Sequence, residues 1–309
     1  MDIVIYGTGA IGSVLATLLK QAHSKDKNTI HLVGRKHILD KIDKNGLIYV
    51  PYGSDEEIVT SGYETYEKIT DIESADVVIF TMKAYGLRAS CRTIKQWIQE
   101  QDPIIILSMN GLGLKEIVRE ETGSDNILEI SVGYPSRLEG NKVINTGGNS
   151  VFIAPNDEDT RSTFEKMFGF IDEGIPIQFK DNFQHFKWRK GTANITMNGI
   201  SAITMLTVGE VLERQTLCSI MDRLIQETVA VAQELGMPLT MDVKEWFYEF
   251  AGKDPHHKTS TFQDILKNKR TEIEFFNGYI VKKGRKLGIP TPINECLLKM
   301  MHAVEDDFD

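Results

Sequence analysis

Three glycines near the start of the chain have the spacing that brings main-chain amides close to a phosphate. They form a G-x-G-x-x-G motif made of Gly7, Thr8, Gly9, Ala10, Ile11 and Gly12. The first glycine permits a tight turn, the second lets the main chain approach a pyrophosphate, and the third allows a helix to pack closely on a strand. The motif follows the apolar segment Ile3–Tyr6 and precedes an apolar helix, which is the context that dinucleotide binding requires. The sequence therefore predicts a dinucleotide site at these six residues, and a turn that serves packing alone is the alternative.

The end of the second predicted strand carries cations at the position that selects the cofactor. NAD sites place an acid there for the ribose 2′-hydroxyl, whereas NADP sites place an arginine against the 2′-phosphate. The chain has Val33-Gly34-Arg35-Lys36 at this point, and no acid before Asp40. Arg35 therefore indicates NADPH as the cofactor, and ordinary surface charge is the alternative.

Two more polar residues follow apolar segments, at the edge of a parallel sheet where ligands bind. Lys83 follows Val77–Thr81, and Asn110 follows Ile104–Leu107. Lys83 could bind a phosphate or a substrate carboxylate, and Asn110 could hydrogen-bond to nicotinamide or to substrate. Loop residues that satisfy the main chain are the alternative for both.

A helical segment in the second half of the chain carries polar residues on one face. Lys190, Asn194 and Asn198 are each four residues apart, which places them along one side of a helix. Asparagine is a poor residue in a helix interior, so two of them on one stripe require a reason. The stripe indicates a ligand site, and a solvated face is the alternative.

Ser260 and Gln263 have the spacing of a capping box at the start of a helix. Capping is a sufficient explanation for Ser260, although a hydroxyl at a helix N-terminus can also bind a carboxylate. Glu272 is close to Glu274 and to several lysines, so surface charge is its default interpretation. The residues alone leave both alternatives open.

Two regions of different periodicity must position these residues. Up to Lys180, β-rich segments alternate with helical ones, which predicts a parallel sheet of βαβ units that is buried on both faces. The predicted strands are Ile3–Tyr6, Thr29–Val33, Val77–Thr81, Ile104–Leu107, Ile127–Val132 and Val151–Ile153. The predicted helices there include Ile11–Gln21 and Thr160–Ile171.

From Asp181 onward the pattern is helical. The predicted helices are Phe186–Thr204, Cys218–Leu235, Phe262–Leu287 and one near Asn294–Val304. The fold prediction is an α/β protein: an N-terminal Rossmann-type dinucleotide-binding domain over residues 1–182, then an all-helical C-terminal substrate and catalytic domain over residues 183–309. The site is expected in the cleft between them.

Charge and cysteine content argue against several classes of protein. A net charge of -9 disfavours nucleic acid and anionic membranes as partners. The wide spacing of Cys91, Cys218 and Cys296 predicts buried or half-buried free thiols, with neither a disulfide framework nor a zinc site. No apolar run is long enough for a membrane span, and no signal peptide is recognised, so we expect a cytoplasmic protein. We also expect no metal, because the sequence offers no metal site.

In order and spacing, these residues resemble the ketopantoate reductase family over essentially the whole chain. The resemblance rests on the glycine motif, Lys83, Asn110-Gly111-Leu112-Gly113, Trp188-Arg189-Lys190 with Asn194 and Asn198, Ser260, Gln263-Asp264 and Arg270-Thr271-Glu272-Ile273. It implies NADPH-dependent reduction of a small 2-keto acid, 2-dehydropantoate (ketopantoate), to pantoate in pantothenate and coenzyme A biosynthesis. A homodimer is left open.

The resemblance also implies a role for each polar residue. Lys190 is the general acid that protonates the keto oxygen as hydride arrives. Asn194 and Asn198 hold the hydroxyl end of the substrate, and Ser260 binds its carboxylate. Asn110 contacts both ligands.

Glu272 is implied to reach the cofactor near its nicotinamide ribose, where it would favour the charged form of Lys190. The chain departs from some family members at Leu206-Thr207-Val208, which would give an apolar wall before Gly209-Glu210 and could alter the substrate. The rival functions are a β-hydroxyacid or opine-type dehydrogenase and a non-catalytic NADP(H)-sensing protein. Lactate-type chemistry would need a histidine such as His185, for which the sequence offers no obvious acidic partner.

Overall fold

The computed structural model describes residues 1–22, 28–148, 150–168 and 176–308, and the chain forms two compact units. The first unit comprises Met1–Met109 and Leu114–Phe183, and the second comprises Asn110–Gly113 and Gln184–Asp309. A short loop from the first half of the sequence thus belongs to the second unit.

All strands among the described residues lie in the first unit. They are β1 (Asp2–Tyr6), β2 (Thr29–Val33), β3 (Leu47–Val50), β4 (Ile58–Thr60), β5 (Glu64–Tyr66), β6 (Val77–Phe80), β7 (Ile104–Leu107), β8 (Ile127–Glu129), β9 (Ser131–Val132), β10 (Ser136–Glu139), β11 (Lys142–Asn145), β12 (Phe152–Pro155) and β13 (Ile177–Lys180). Six of them form a parallel sheet in the order β5-β2-β1-β6-β7-β8. This is the strand order of a doubly wound dinucleotide-binding sheet, so the Rossmann prediction is confirmed.

The middle of this sheet is buried on both faces. Ile5 of β1 is in register with Leu32 of β2 and Ile79 of β6, and none of the three is more than 1% exposed. Helices cover a parallel sheet on both sides, so its central strands can be apolar at every position. The prediction from their composition is confirmed.

The helices of the first unit are α1 (Ala10–Ala22), α2 (Lys36–Asn45), α3 (Leu87–Gln101), α4 (Leu114–Thr122) and α5 (Glu158–Phe168). Helix α1 packs on β1 and β2, and it also contacts α5 and the strands β3, β4, β10 and β11. Those four strands form a second sheet in the order β10-β11-β3-β4, and β13-β12-β9 form a third. The sequence did not predict the second sheet, because its outer strands are short, partly exposed and mixed in polarity.

The second unit is helical throughout its described part. Its helices are α6 (Phe183–Thr204), α7 (Val208–Leu212), α8 (Gln215–Glu234), α9 (Val243–Gly252), α10 (Ser260–Ile265), α11 (Asn277–Leu287) and α12 (Pro292–Glu305). Helix α8 is central: it packs against α7, α9, α11 and α12, and its Leu224 and Ile225 are fully buried. The all-helical prediction is confirmed, although α7 and α9 were not predicted.

The single helix predicted over Phe262–Leu287 is wrong. Helix α10 ends at Ile265, and Asn268 has a φ of +48°, which a continuing α-helix cannot contain. A 3-10 turn over Ile273–Phe275 follows, and α11 begins only at Asn277. The apolar periodicity was therefore real, but a turn interrupts it.

Two further expectations need a correction or a limit. Cys91 is buried and Cys218 half-buried, as predicted, but Cys296 is exposed because it lies on the outer side of α12. The predicted helix Thr160–Ile171 corresponds to α5, and its last three residues lie outside the described part of the chain. None of the described helices is long and apolar enough to cross a membrane.

Candidate active site

The turn between β1 and α1 has the geometry that its glycines predict. Gly7 has a φ of +121°, which favours glycine, and its amide donates to the Val33 carbonyl at 2.9 Å. A Cβ atom on Gly12 would lie 2.0 Å from the Gly7 carbonyl oxygen, so only glycine lets α1 start this close to β1. A Cβ atom on Gly9 would meet no atom within 4 Å, which leaves open space at the N-terminus of α1. The turn therefore fits a pyrophosphate.

Thr81, which the sequence did not single out, fastens this turn to the end of β6. Its Oγ1 donates to the Gly7 carbonyl oxygen at 2.6 Å and lies 3.2 Å from the Tyr6 carbonyl oxygen. Strands β1 and β6 are neighbours in the sheet, so a hydroxyl at the end of β6 reaches the turn directly. The one signal in the sequence was a threonine that closes an otherwise apolar strand.

The remaining predicted cofactor residues lie on or beside this turn. Thr8 is buried, and a Cβ atom on Gly34 would lie 2.0 Å from its Oγ1, so the end of β2 packs tightly on the turn. Ala10 begins α1, and Ile11 packs against the core of the first unit. Lys83 is exposed and lies just after the end of β6.

The two cations after β2 differ in their surroundings. Lys36 Nζ lies 3.6 Å from carboxylate oxygens of both Asp40 and Glu67. Arg35 is exposed at the start of α2, and its guanidinium makes no ion pair or hydrogen bond with the described residues. Arg35 is therefore the cation that could bind a ligand phosphate, whereas Lys36 already has two partners.

In the second unit, Lys190 and Asn110 are brought together. Lys190 lies on α6, and its ammonium donates to the side-chain carbonyl of Asn110, with Nζ and Oδ1 3.1 Å apart. These residues are far apart in sequence, so neither spacing nor periodicity could predict the contact. The bond orients an ammonium beside an amide that has donors of its own.

The second unit holds the Asn110–Gly113 loop by packing and by one main-chain hydrogen bond. The Leu112 amide donates to the Phe275 carbonyl at 2.8 Å. A Cβ atom on Gly191 would lie 3.3 Å from the Leu112 side chain, so α6 passes close to the loop. Gly113 has a φ of +75°, and a Cβ atom there would lie 2.4 Å from the Tyr279 ring. The loop that carries Asn110 is thus fixed by three separate elements.

Burial changes the acid strength of Lys190. It lowers the pKa of this side chain from its ordinary value of 10.5 to about 8, because removal of water disfavours the charged form. A proton donor is most effective when its pKa lies near the working pH. The shift therefore suits Lys190 to proton transfer close to neutral pH. The influence of Glu272 on this ammonium stays a prediction.

Asn194 and Asn198 continue the stripe along α6. Asn198 is buried, and its Nδ2 donates to Asn194 Oδ1 at 3.1 Å. In this arrangement Asn194 Nδ2 and Asn198 Oδ1 make no hydrogen bond with the described residues. One donor and one acceptor are therefore left on the same helix face, which matches what a hydroxyl group needs.

The predicted capping box at Ser260 is wrong. The N-cap of α10 is Thr259, whose buried side chain accepts from the Phe262 amide at 3.2 Å. Ser260 is the first residue of the helix and is exposed, and Gln263 Nε2 donates to the Lys258 carbonyl instead. The Ser260 hydroxyl is thus not used by the helix, but no hydrogen bond joins it to Lys190 or to the asparagines.

Glu272 is half-buried and directly precedes the 3-10 turn Ile273–Phe275. That turn supplies the Phe275 carbonyl that holds the Asn110 loop, so Glu272 and Asn110 lie on segments that are bonded to each other. The sequence did not predict this link, because it assigned residue 272 to the middle of a helix.

Two family models match this chain. The model of ketopantoate reductase PanE/ApbA matches residues 3–158, and the model of the ketopantoate reductase PanE/ApbA C terminal matches residues 182–305.

The chain belongs to the ketopantoate reductase family.

Individual relatives agree with the family over the full length. The 2-dehydropantoate 2-reductase of Streptococcus pyogenes serotype M3 is 28% identical over 310 residues, across 99% of this chain and 98% of that protein. The 2-dehydropantoate 2-reductase of Aquifex aeolicus is 26% identical, across 99% and 97%. Among solved structures, a ternary complex of D-mandelate dehydrogenase with NADH and anilino(oxo)acetate has a TM-score of 0.84 and 26% identity, across 100% and 99% of the two chains.

Membership of the ketopantoate reductase family makes this chain an oxidoreductase with NADPH as its cofactor. The open space at Gly9 fits the pyrophosphate of that cofactor, and the Arg35 guanidinium, which has no partner among the described residues, fits its 2′-phosphate.

We expect Gly9→Ala and Gly12→Ala to damage this protein in different ways. At Gly12 the added Cβ meets a main-chain oxygen, so the thermal unfolding midpoint should fall together with NADPH binding. At Gly9 the added Cβ meets no protein atom, so the midpoint should stay within about 2 °C while the Kd for NADPH rises at least about tenfold. Differential scanning fluorimetry and a fluorescence titration measure the two effects. Normal NADPH affinity in Gly9→Ala would contradict the placement of the pyrophosphate.

The lowered pKa of Lys190 predicts an alkaline limit to ketoacid reduction. The protonated form is lost as pH rises through about 8, so log kcat/KM should fall by about one for each pH unit above that value. An unshifted lysine would delay the decline to about 10.5. In Lys190→Arg, whose guanidinium keeps its proton, any residual activity should lack this limb. A wild-type profile that stays flat to about pH 9.5, more than one pH unit above the expected limit of about 8, would contradict the assignment of Lys190 as the proton donor.

Proposed function

We propose that this protein catalyses the NADPH-dependent reduction of 2-dehydropantoate to pantoate, a step of pantothenate and coenzyme A biosynthesis. The observation that carries the proposal is the hydrogen bond between Lys190 and Asn110, which holds an ammonium of lowered pKa beside a stripe of amides on α6. The names of full-length relatives at 26–28% identity support the same reaction.

In the proposed chemistry, bound NADPH supplies a hydride to the keto carbon. As negative charge develops on the keto oxygen, the Lys190 ammonium stabilises it and transfers a proton to it. Asn110 accepts one N–H of that ammonium and thereby orients its nitrogen atom. Lys190, left neutral, recovers its proton from solvent before the next turnover.

Three further side chains are proposed to hold the two ends of the substrate. Asn194 and Asn198 bind the hydroxyl group, because their unused donor and acceptor match a group that both accepts and donates. Ser260 binds the carboxylate with a hydroxyl that its helix does not use for capping.

On the cofactor, the main chain of Gly7–Gly12 is proposed to bind the pyrophosphate, and Arg35 the 2′-phosphate. Lys83 is proposed to contact a phosphate, Asn110 the nicotinamide, and Glu272 the nicotinamide ribose. These roles follow the family resemblance and stay predictions until each variant is measured.

Reduction of a different 2-keto acid is the second candidate. The likeness to D-mandelate dehydrogenase favours it, and so does the segment before α7. Thr207 in this segment forms a capping box with Glu210, so its hydroxyl group is already bound to the protein. Its neighbours Leu206 and Val208 are apolar. NADPH oxidation with a panel of aliphatic and aromatic 2-keto acids decides between the two. The first proposal, reduction of 2-dehydropantoate to pantoate, requires that kcat/KM be highest for 2-dehydropantoate.

A homodimer and a cytoplasmic location also stay predictions. A dimeric ketopantoate reductase of Staphylococcus aureus has a TM-score of 0.78 to this chain, which at 22% identity concerns the fold. Light scattering at several protein concentrations tests the assembly.

We expect Lys190→Ala to lower kcat by about 10²–10⁴-fold, the usual loss for a positioned proton donor, with little change in the Kd for NADPH. Asn194→Ala and Asn198→Ala should instead raise the KM for the keto acid, because they hold substrate without transferring a proton. Steady-state kinetics with a binding titration separates the effects. If Lys190→Ala keeps near-normal turnover with its fold intact, the donor lies elsewhere, and His185 is the next residue to replace.

Arg35→Ala should raise the KM for NADPH by at least about tenfold and leave the KM for NADH nearly unchanged, because only NADPH carries the 2′-phosphate. Lys36→Ala is the matched control, since this neighbouring cation already has two carboxylate partners. Equal effects of Arg35→Ala on both cofactors, or an equal loss in Lys36→Ala, would contradict the role of Arg35.

A further inference from the structure

The segment Thr271–Phe275, which carries Glu272, is not part of an α-helix and needs to be held by contacts with other elements. Its anchor is the end of the C-terminal helix α12. The Thr271 amide donates to the Glu305 carboxylate, with N and Oε1 2.7 Å apart. Thr271 is 2% exposed, so without Glu305 this amide would face a protein environment that offers it no water.

A second contact lies two residues further along. Ile273 is 1% exposed and packs in a small cluster with Met301 of α12, Phe262 of α10 and Ala202 of α6. Met301 and Glu305 are four residues apart and therefore share one face of α12. The same helix face thus contacts the segment on both sides of Glu272.

A third contact is weaker. Glu274 Oε1 lies 2.9 Å from His302 Nε2, but both side chains are more than 40% exposed. Exposed ion pairs contribute little to stability, so the buried amide at Thr271 and the packing of Ile273 hold the segment.

The connection continues beyond Glu272. The Phe275 carbonyl at the end of the segment accepts from the Leu112 amide, and Leu112 lies two residues after Asn110, the partner of Lys190. A chain of contacts thus runs from Glu305 through the segment to the loop that orients the ammonium.

We propose that Glu305 is a positioning residue of this active site, which places Glu272 and the Asn110 loop by holding the Thr271 amide. The inference rests on the proposed function, because it assigns Glu305 an effect on NADPH binding through Glu272. Glu305 itself touches neither ligand in this role.

The test compares Glu305→Ala with Glu305→Gln, whose amide oxygen can still accept from Thr271. Glu295→Ala is the control, because Glu295 lies on the same helix in exposed ion pairs with Lys299 and Arg285. We expect Glu305→Ala to raise the Kd for NADPH about tenfold, Glu305→Gln to restore most of the affinity, and Glu295→Ala to change it less than about twofold. Equal loss in Glu305→Ala and Glu305→Gln, or normal affinity in Glu305→Ala, would overturn the inference.

Two further measurements separate this inference from the proposed function. Hydrogen exchange without ligand should show faster exchange in peptides covering 271–276 and 110–114 in Glu305→Ala alone, whatever the substrate. Unchanged exchange there would overturn the positioning role. In a double-mutant cycle, Glu305→Ala should add little to the loss in Glu272→Ala if it acts through that carboxylate, and additive losses would overturn this route. Normal NADPH affinity in Glu272→Ala alone would instead contradict the proposed role of Glu272.

Discussion

The chemistry proposed for the second unit depends on one hydrogen bond, between the Lys190 ammonium and the side-chain carbonyl of Asn110. Partial removal of water makes a charged amine easier to deprotonate, but it also makes an ammonium costly unless an acceptor lies close by. Asn110 is that acceptor, and it can serve only if its loop stays fixed. Three contacts hold that loop: the close approach of α6, the hydrogen bond to the Phe275 carbonyl and the packing against the Tyr279 ring. The packing of the helices therefore fixes the acceptor of the Lys190 ammonium.

The two units are proposed to bind their ligands in opposite ways. In the first unit the critical feature is the lack of side chains: Gly12 permits close packing, and Gly9 leaves its main chain accessible. Recognition there rests on main-chain amides at a helix N-terminus, which is why one sheet architecture serves many dinucleotide enzymes. In the second unit the proposed functional groups are side chains of α6. We therefore expect substrate differences between family members to arise from sequence differences in the helical unit.

The sequence predicted what local patterns encode. The glycine turn, the buried parallel strands and the spacing of Lys190, Asn194 and Asn198 follow from periodicity and from steric limits that act over a few residues. It failed where the outcome depends on distant partners: the link of Phe275 to Leu112 and the fastening of Gly7 by Thr81. At the start of α10 two neighbouring residues have hydroxyl groups that could cap the helix. The buried Thr259 is the N-cap, and Ser260 is the first residue of the helix. The predicted long helix failed because Asn268 adopts a left-handed conformation that apolar periodicity does not report.

The assignment of Asn110–Gly113 to the second unit has a consequence for how such a protein can be recombined. Family models divide the sequence into two contiguous blocks, 3–158 and 182–305, yet the helical unit is completed by residues from inside the first block. A gene fusion that exchanged the second block alone would combine a new α6 with the original Asn110–Gly113 loop. The lysine at position 190 and its acceptor at position 110 would then come from different proteins. The loop and the helix thus belong to one structural unit that is split in the sequence, so an exchange of segments that is to keep the Lys190–Asn110 hydrogen bond should include both.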